Sequence, residues 1–131
     1  MEYRLINVIT NNYCFKNKMD SKTNFKLMPS FGKGVTKIND SIYELHLSFS
    51  LHDKGEDVSP YDLDLEIKGI FEFKNGIEDE IMEFMDNNAV AITFPYLRTI
   101  ISTTMTAMNL PPILLPIVDA KEIFKKENIS A

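Results

Sequence analysis

A chain of 131 residues has the length of one domain and buries roughly 65–70% of its unfolded surface in a single core. Its 44% hydrophobic and 25% charged residues exclude a disordered tail or a fibrous repeat, and a formal net charge of −5 argues against a nucleic-acid-binding surface. With Cys14 as the one cysteine, an internal disulfide and a cysteine-based zinc site are excluded, which suits a reducing compartment.

The opening residues MEYRLINVIT show no basic segment leading into an apolar core, and no run approaches the roughly 18 apolar residues that a membrane span requires. The expectation is a single cytoplasmic domain over residues 1–131 with no membrane insertion. The first segment, YRLINVI at residues 3–9, is rich in β-formers and apolar on both faces, so it is expected to be covered on both sides by the fold or by a neighbour. A shorter strand is expected in NFKLM, residues 24–28. It leads into PSFGKG, where Pro29, Gly32 and Gly34 are expected to stop regular structure and leave a crossover loop carrying an exposed Phe31.

Alternation is strongest in the middle of the chain. In YELHLSFSL, Tyr43, Leu45, Leu47, Phe49 and Leu51 fall on one face and Glu44, His46, Ser48 and Ser50 on the other, the pattern of a half-buried antiparallel strand. YDLDLEIKGIFEF sets Tyr61, Leu63, Leu65, Ile67, Phe71 and Phe73 against Asp62, Asp64, Glu66, Lys68, Glu72 and Lys74, with Ile70 out of step and Gly69 read as a strand kink. The turn-rich HDKGEDVSP between them predicts a hairpin with one apolar and one wet face.

After a turn at Gly76 the period becomes helical. Ile81, Phe84 and Met85 recur beside Glu78, Asp79, Glu80, Glu83 and Asp86, which predicts a short amphipathic helix from Ile77 with acids in its early turns, where the dipole favours them. In FPYLRTIISTTMTAMNL, Pro95 suits a first helical turn, and Leu97, Ile100, Ile101, Met105 and Met108 form one apolar stripe. The other side, Arg98, Thr99, Ser102, Thr103 and Thr106, carries a single charge and suits packing on another subunit better than bulk water. Pro111 and Pro112 are expected to end this helix. DAKEIF predicts a further one, with Asp119 as N-cap, Glu122 completing a capping box, and Ile123 and Phe124 facing inward.

Few residues suggest chemistry. Asp79, Glu83 and Asp86 share a helical face but have no histidine beside them, so they read as solvated surface and not as a metal site. His46 stands two residues from Glu44 on one strand face, which allows an acid–base pair or an exposed strand histidine. Cys14, between Tyr13 and Phe15, has no adjacent histidine to activate it and reads as a tolerated thiol. Phosphate-binding, dinucleotide and nucleophile-elbow motifs are absent, so neither catalytic residues nor a cofactor are expected. What stands out is apolar surface where loops should be polar: Phe31, and then Leu110, Ile113, Leu114 and Leu115 among prolines in LPPILLP. This loop either packs on its own core or forms a surface held open for another chain. The seven methionines, Met105 and Met108 among them, suit adaptable contacts.

The segments YELHLSFSL, GIFEF, NGIE, FPYLRTIIS and LPPILLPIVDAKEIF, in that order, resemble the SecB family of export chaperones, and YRLINVITNNYCF is similar to that family's first strand. The resemblance covers nearly the whole chain, with the Phe-Pro-Tyr-x-Arg segment and the following proline loop as its most specific part. It implies an α+β protomer, a four-stranded antiparallel sheet packed with two to three helices, assembled as a homotetramer that is a dimer of dimers. It also implies binding of unfolded or precursor polypeptides without ATP, and their transfer to the SecA motor. Carried over by position, the client-binding residues are Phe25, Leu27 and Phe31 in the crossover region and Leu110, Ile113, Leu114 and Leu115 in the loop. The oligomer interface falls on Tyr96, Arg98, Thr99, Ser102, Thr103 and Thr106.

The resemblance also implies a partner-docking face, for which Asp62 and Asp64 are retained. The matching first-strand positions are Asn12 and Lys16, which weakens the expected pairing with a basic partner, and the family's long acidic C-terminal extension is not expected in this chain. A SecB-like chaperone that guards an antitoxin is therefore a second reading. From other classes, a small α+β enzyme using His46 or Cys14 in an apolar cleft, and an assembly protein whose loop is buried in an interface, also fit the residues.

Overall fold

The computed structural model describes residues 1–20, 23–111 and 113. Four strands, β1 (Glu2–Asn17), β2 (Pro29–Lys37), β3 (Ile42–Leu51) and β4 (Tyr61–Lys74), precede two helices, α1 (Glu78–Asp86) and α2 (Asn88–Ala107). The sheet is antiparallel with order β1-β4-β3-β2, so the chain must cross from one edge to the other between β1 and β2. The α+β class, the four-stranded sheet and the β3–β4 hairpin agree with the sequence reading. The further helix expected at Asp119 lies outside the described residues.

The core follows from the alternation. The odd-numbered residues of β3 from Tyr43 to Leu51, and those of β4 from Tyr61 to Ile67, are buried together with Phe71 and Phe73, while their even-numbered neighbours stay half-exposed. Onto this apolar face α1 lays Ile81, Phe84 and Met85, and α2 lays Val90, Phe94, Leu97, Ile101 and Met105, all in one cluster. Each such side chain contributes about 1.5–3 kcal/mol on full burial. The rings interlock edge to face, with Phe73 5.5 Å from Phe84 and 5.7 Å from Tyr43.

Several expectations need correction. β1 runs to Asn17 and is an edge strand with irregularities between Leu5 and Asn7 and between Thr10 and Asn12. A bulge shifts the inward–outward alternation by one residue, which is why the sequence looked apolar on both faces. Within this chain Tyr3, Ile6 and Ile9 remain exposed.

PSFGKG is a strand and not a loop, whereas NFKLM contributes only a bridge from Phe25 to Val58. Proline is tolerated at the first residue of an edge strand, and a Cβ on Gly32 would stand 2.6 Å from Ser48 Oγ. Lys33 points inward on this edge, its side chain 8% exposed, and donates to the Asp86 carbonyl at 3.0 Å. There it neutralises the C-terminal end of α1, and an inward charge also discourages pairing at an open edge.

Gly69 is not a kink. It sits in register between Val8 and Leu45, where α2 comes so close that a Cβ would lie 3.0 Å from Thr93 Oγ1. Pro95 lies inside α2, which begins seven residues earlier at Asn88. The fully buried Ala89 and Val90 hold those first turns by packing, in the absence of a side-chain cap. The helix ends before the prolines. Asn109 adopts φ 57°, its N–H bonds to Thr106 O, and the Leu110 N–H bonds to Met105 O, both at 3.0 Å. This is a Schellman ending with asparagine in the left-handed position. It leaves Met108 38% exposed, outside the apolar stripe assigned to it.

Candidate functional site

The crossover from β1 to β2, described at residues 18–20 and 23–28, is held on the β3–β4 connection. The Lys18 N–H donates to Pro60 O at 2.9 Å and the Lys26 N–H to Val58 O at 3.0 Å. This presents Phe25 half-buried and Leu27 47% exposed. Phe31, expected exposed in a loop, is instead half-buried on β2, with ring centroids 5.3 Å from Phe49 and 6.3 Å from Phe94. Across the sheet's apolar side, Ile113 is buried and Leu110 half-buried against the same cluster that Phe31 joins. The structure thus brings Phe31, Leu110 and Ile113 onto one apolar cluster and leaves Leu27 open to solvent. Leu114 and Leu115 lie outside the described residues.

The outer side of α2 is as hydroxyl-rich as its sequence. Tyr96, Thr99, Ser102, Thr103 and Thr106 are exposed, and the last three with Ala107 line a shallow depression of about 420 Å³. Arg98 is half-buried, its guanidinium 5.9 Å from the Phe94 ring centroid, so part of its surface already covers an aromatic face. Thr104 belongs to the structure of the subunit. Its hydroxyl donates to Ile100 O at 2.8 Å and stands 2.6 Å from the Tyr13 hydroxyl, which ties β1 to α2.

The opposite face of the sheet carries charged side chains, and several of them are paired. Asp62 meets the Lys18 ammonium at 3.1 Å and His52 Nδ1 at 3.2 Å, while Asp64 meets His52 Nε2 at 3.0 Å. Beside them on β1, Asn12, Cys14 and Lys16 stand in register with Glu66, Asp64 and Asp62. His46 bridges Glu44 at 3.4 Å and Glu66 at 3.2 Å, and Lys68 also reaches Glu44. Both histidines therefore lie between two carboxylates on one face, an arrangement hidden in the sequence because the partners of His52 sit on the next strand.

Hydrogen bonding to Asp64, and then to Asp62, raises the His52 pKa above its ordinary value of 6.5. The folded state thus favours the charged imidazole. Its contribution is fully present below the unfolded value of 6.5 and is lost as pH rises through the higher folded value. In an NMR titration the His52 midpoint is expected above 6.5 and to fall on Asp64→Asn. A midpoint at or below that value in the unmodified protein would contradict the pairing.

Cys14 is exposed and contacts the Asn12 carboxamide at 3.6 Å. Among the described residues no group of three or more His, Cys, Asp and Glu side chains is placed to hold a metal ion, and no helix is long and apolar enough to cross a membrane.

An antiparallel sheet with ion pairs on one face and two helices on the other, its edge strands joined by a crossover that carries Phe25 and Leu27, defines an α+β domain. The chain belongs to the SecB family: the family model described as preprotein translocase subunit SecB matches residues 8–131. Among curated proteins it is similar to the protein-export protein SecB of Zymomonas mobilis, 26% identical over 97 residues that cover 74% of this chain and 59% of that one. An uncharacterized protein of Methanocaldococcus jannaschii is 43% identical over 58 residues, 44% of this chain and 37% of that one. The chain thus matches less than two thirds of the length of these two relatives. Its fold is similar to that of the SecB-like chaperone Rv1957 of Mycobacterium tuberculosis, solved in complex with a ChAD peptide from the Rv1956 HigA1 antitoxin, with TM-score 0.72, 14% identity and coverage of 88% of this chain and 90% of that one.

Proposed function

We propose that this protein is an ATP-independent holdase that binds unfolded or precursor polypeptides through apolar side chains. The crossover carrying Phe25 and Leu27 forms one part of its client surface, and the loop carrying Leu110, Ile113, Leu114 and Leu115 the other. The observation that carries the reading is Leu27, a large apolar side chain 47% exposed on a segment fixed by backbone hydrogen bonds, in a chain of the SecB family. A preordered apolar surface spends less of its binding energy on ordering itself, and several weak subsites hold a long client with little sequence preference. The protomers assemble as a dimer of dimers in the cytoplasm. This is supported by exposed Tyr3, Ile6 and Ile9 on an unpaired strand edge and by the hydroxyl face of α2, including Tyr96, Thr99, Ser102, Thr103 and Thr106.

A second reading, a chaperone dedicated to an antitoxin and not coupled to SecA, draws on the sheet face. Asp62 and Asp64 are already engaged by Lys18 and His52, so the attraction they offer a basic partner is blunted. The fold neighbour of Mycobacterium tuberculosis was solved with an antitoxin peptide. The test is suppression of aggregation of a chemically unfolded protein without ATP, with oligomeric mass followed by light scattering. Suppression by a tetramer near one client per assembly is the expected result. A folded tetramer that suppresses nothing would overturn the holdase and turn the apolar surface into interface.

A further inference from the structure

One carboxylate sits at the junction of every element that supports the crossover. Asp53, in the β3–β4 connection, accepts the Ser59 N–H at 2.8 Å and the Lys18 ammonium at 2.7 Å through the same oxygen, Oδ1. Ser59 is 1% exposed, and its hydroxyl donates to Tyr61 O at 2.6 Å, so this end of the contact is anchored at the start of β4. Ser59 lies between Val58 and Pro60, whose carbonyls hold the Lys26 and Lys18 amides. The tip beyond Asp53 is closed by a reciprocal pair of hydrogen bonds between Lys54 and Asp57, both 3.0 Å. A second bond from Lys18 to Asp62 at 3.1 Å ties the same ammonium to β4.

We propose that Asp53 is the positioning residue of the crossover: by binding Ser59 and Lys18 through one oxygen, it fixes the two carbonyl posts on which the segment bearing Phe25 and Leu27 is hung. The charged contact acts on the path of that segment and not on the core, since the Asp53 side chain is 50% exposed and the Lys18 side chain 21%. Its consequence for client binding rests on the holdase reading above. Its consequence for the crossover does not.

Asp53→Asn and Lys18→Met separate the parts, because asparagine keeps a carbonyl for the Ser59 N–H while losing the charge that holds Lys18. Hydrogen exchange on the full chain is read at the Lys18 and Lys26 amides, with Leu47 and Leu65 in the central strands as references. Affinity is read with a reduced, carboxymethylated and fluorescently labelled unfolded protein. Either substitution is expected to speed exchange at Lys18 and Lys26 about two- to fivefold, in the range of exposed ion pairs, and to weaken client binding by a similar factor. The double variant should do no more than Lys18→Met alone, which also loses the bond to Asp62. Unchanged exchange or additive effects would each overturn the assignment, and faster exchange with full client affinity would overturn its consequence for client binding. If the unmodified protein binds no client, the holdase reading falls, and the exchange measurements alone still decide whether Asp53 holds the crossover.

Discussion

Aspartate in place of Leu27 is expected to lower affinity for an unfolded client about tenfold or more while leaving the urea midpoint of folding unchanged. The first half follows from transfer energetics: a leucine that becomes buried against a client contributes about 1.5–3 kcal/mol, and each 1.4 kcal/mol is about a factor of ten. A carboxylate there must also be desolvated by the apolar client. The second half follows from exposure, because Leu27 is 47% exposed and outside the core cluster. Phe31 makes the contrast. Its ring packs on Phe49 and Phe94, so Phe31→Asp would drive a charge between aromatic rings and cost about 3 kcal/mol or more of folding stability. Loss of client binding in that variant would say little about the surface. Full affinity in Leu27→Asp, measured with the same labelled client, would remove the crossover from the client surface.

The parts of the fold that were legible in the sequence are those where one signal suffices. β3 and β4 are central strands with one buried face, so period-two alternation reported them almost residue by residue, and α1 was carried by its acids and its apolar triad. β2 was hidden because its proline and glycines describe a loop when read locally; only its pairing with β3 makes them tolerable on an edge. The two bulges of β1 scrambled its alternation. In α2, Pro95 reads locally as a start because a proline at a first turn is cheap, yet burial of Ala89, Val90, Thr93 and Phe94 outweighs the one hydrogen bond that proline removes. The helix stop was written in Asn109, a residue the eye passes over on the way to Pro111.

The site divides in the same manner. Apolar residues in a polar context were visible one at a time, but whether each is open or packed depends on partners far along the chain: Leu27 is open, Phe31 and Ile113 are packed. The charged face shows the sharper limit. Asp62 and Asp64 looked free because their partners, Lys18 and His52, come from the crossover and the end of β3. Nothing in local spacing announces that an acidic pair is already occupied.

The close approach of α2 to β4 at Gly69 gives the second large effect. Gly69→Val is expected to lower folding stability by about 1–3 kcal/mol, as overpacking does in a filled core. A Cβ at this position meets Thr93 Oγ1 at 3.0 Å, Phe71 Cε1 at 3.1 Å and Thr93 Cγ2 at 3.4 Å, and all three belong to fully buried side chains. Two of those three atoms leave in Thr93→Ala, so the loss caused by Gly69→Ala should shrink in the Thr93→Ala background, though the Phe71 ring must still shift. Additive losses in urea unfolding would show that α2 moves away freely and that glycine is not required by the approach. The same threonine permits an independent check, because its buried hydroxyl has no hydrogen-bond partner among the described residues. Replacing an unsatisfied buried hydroxyl by a methyl of the same shape removes a desolvation penalty, so Thr93→Val is expected to raise stability by about 1 kcal/mol. A destabilised Thr93→Val would mean that the hydroxyl is bonded, and the glycine would then be serving a polar contact as well as a steric one.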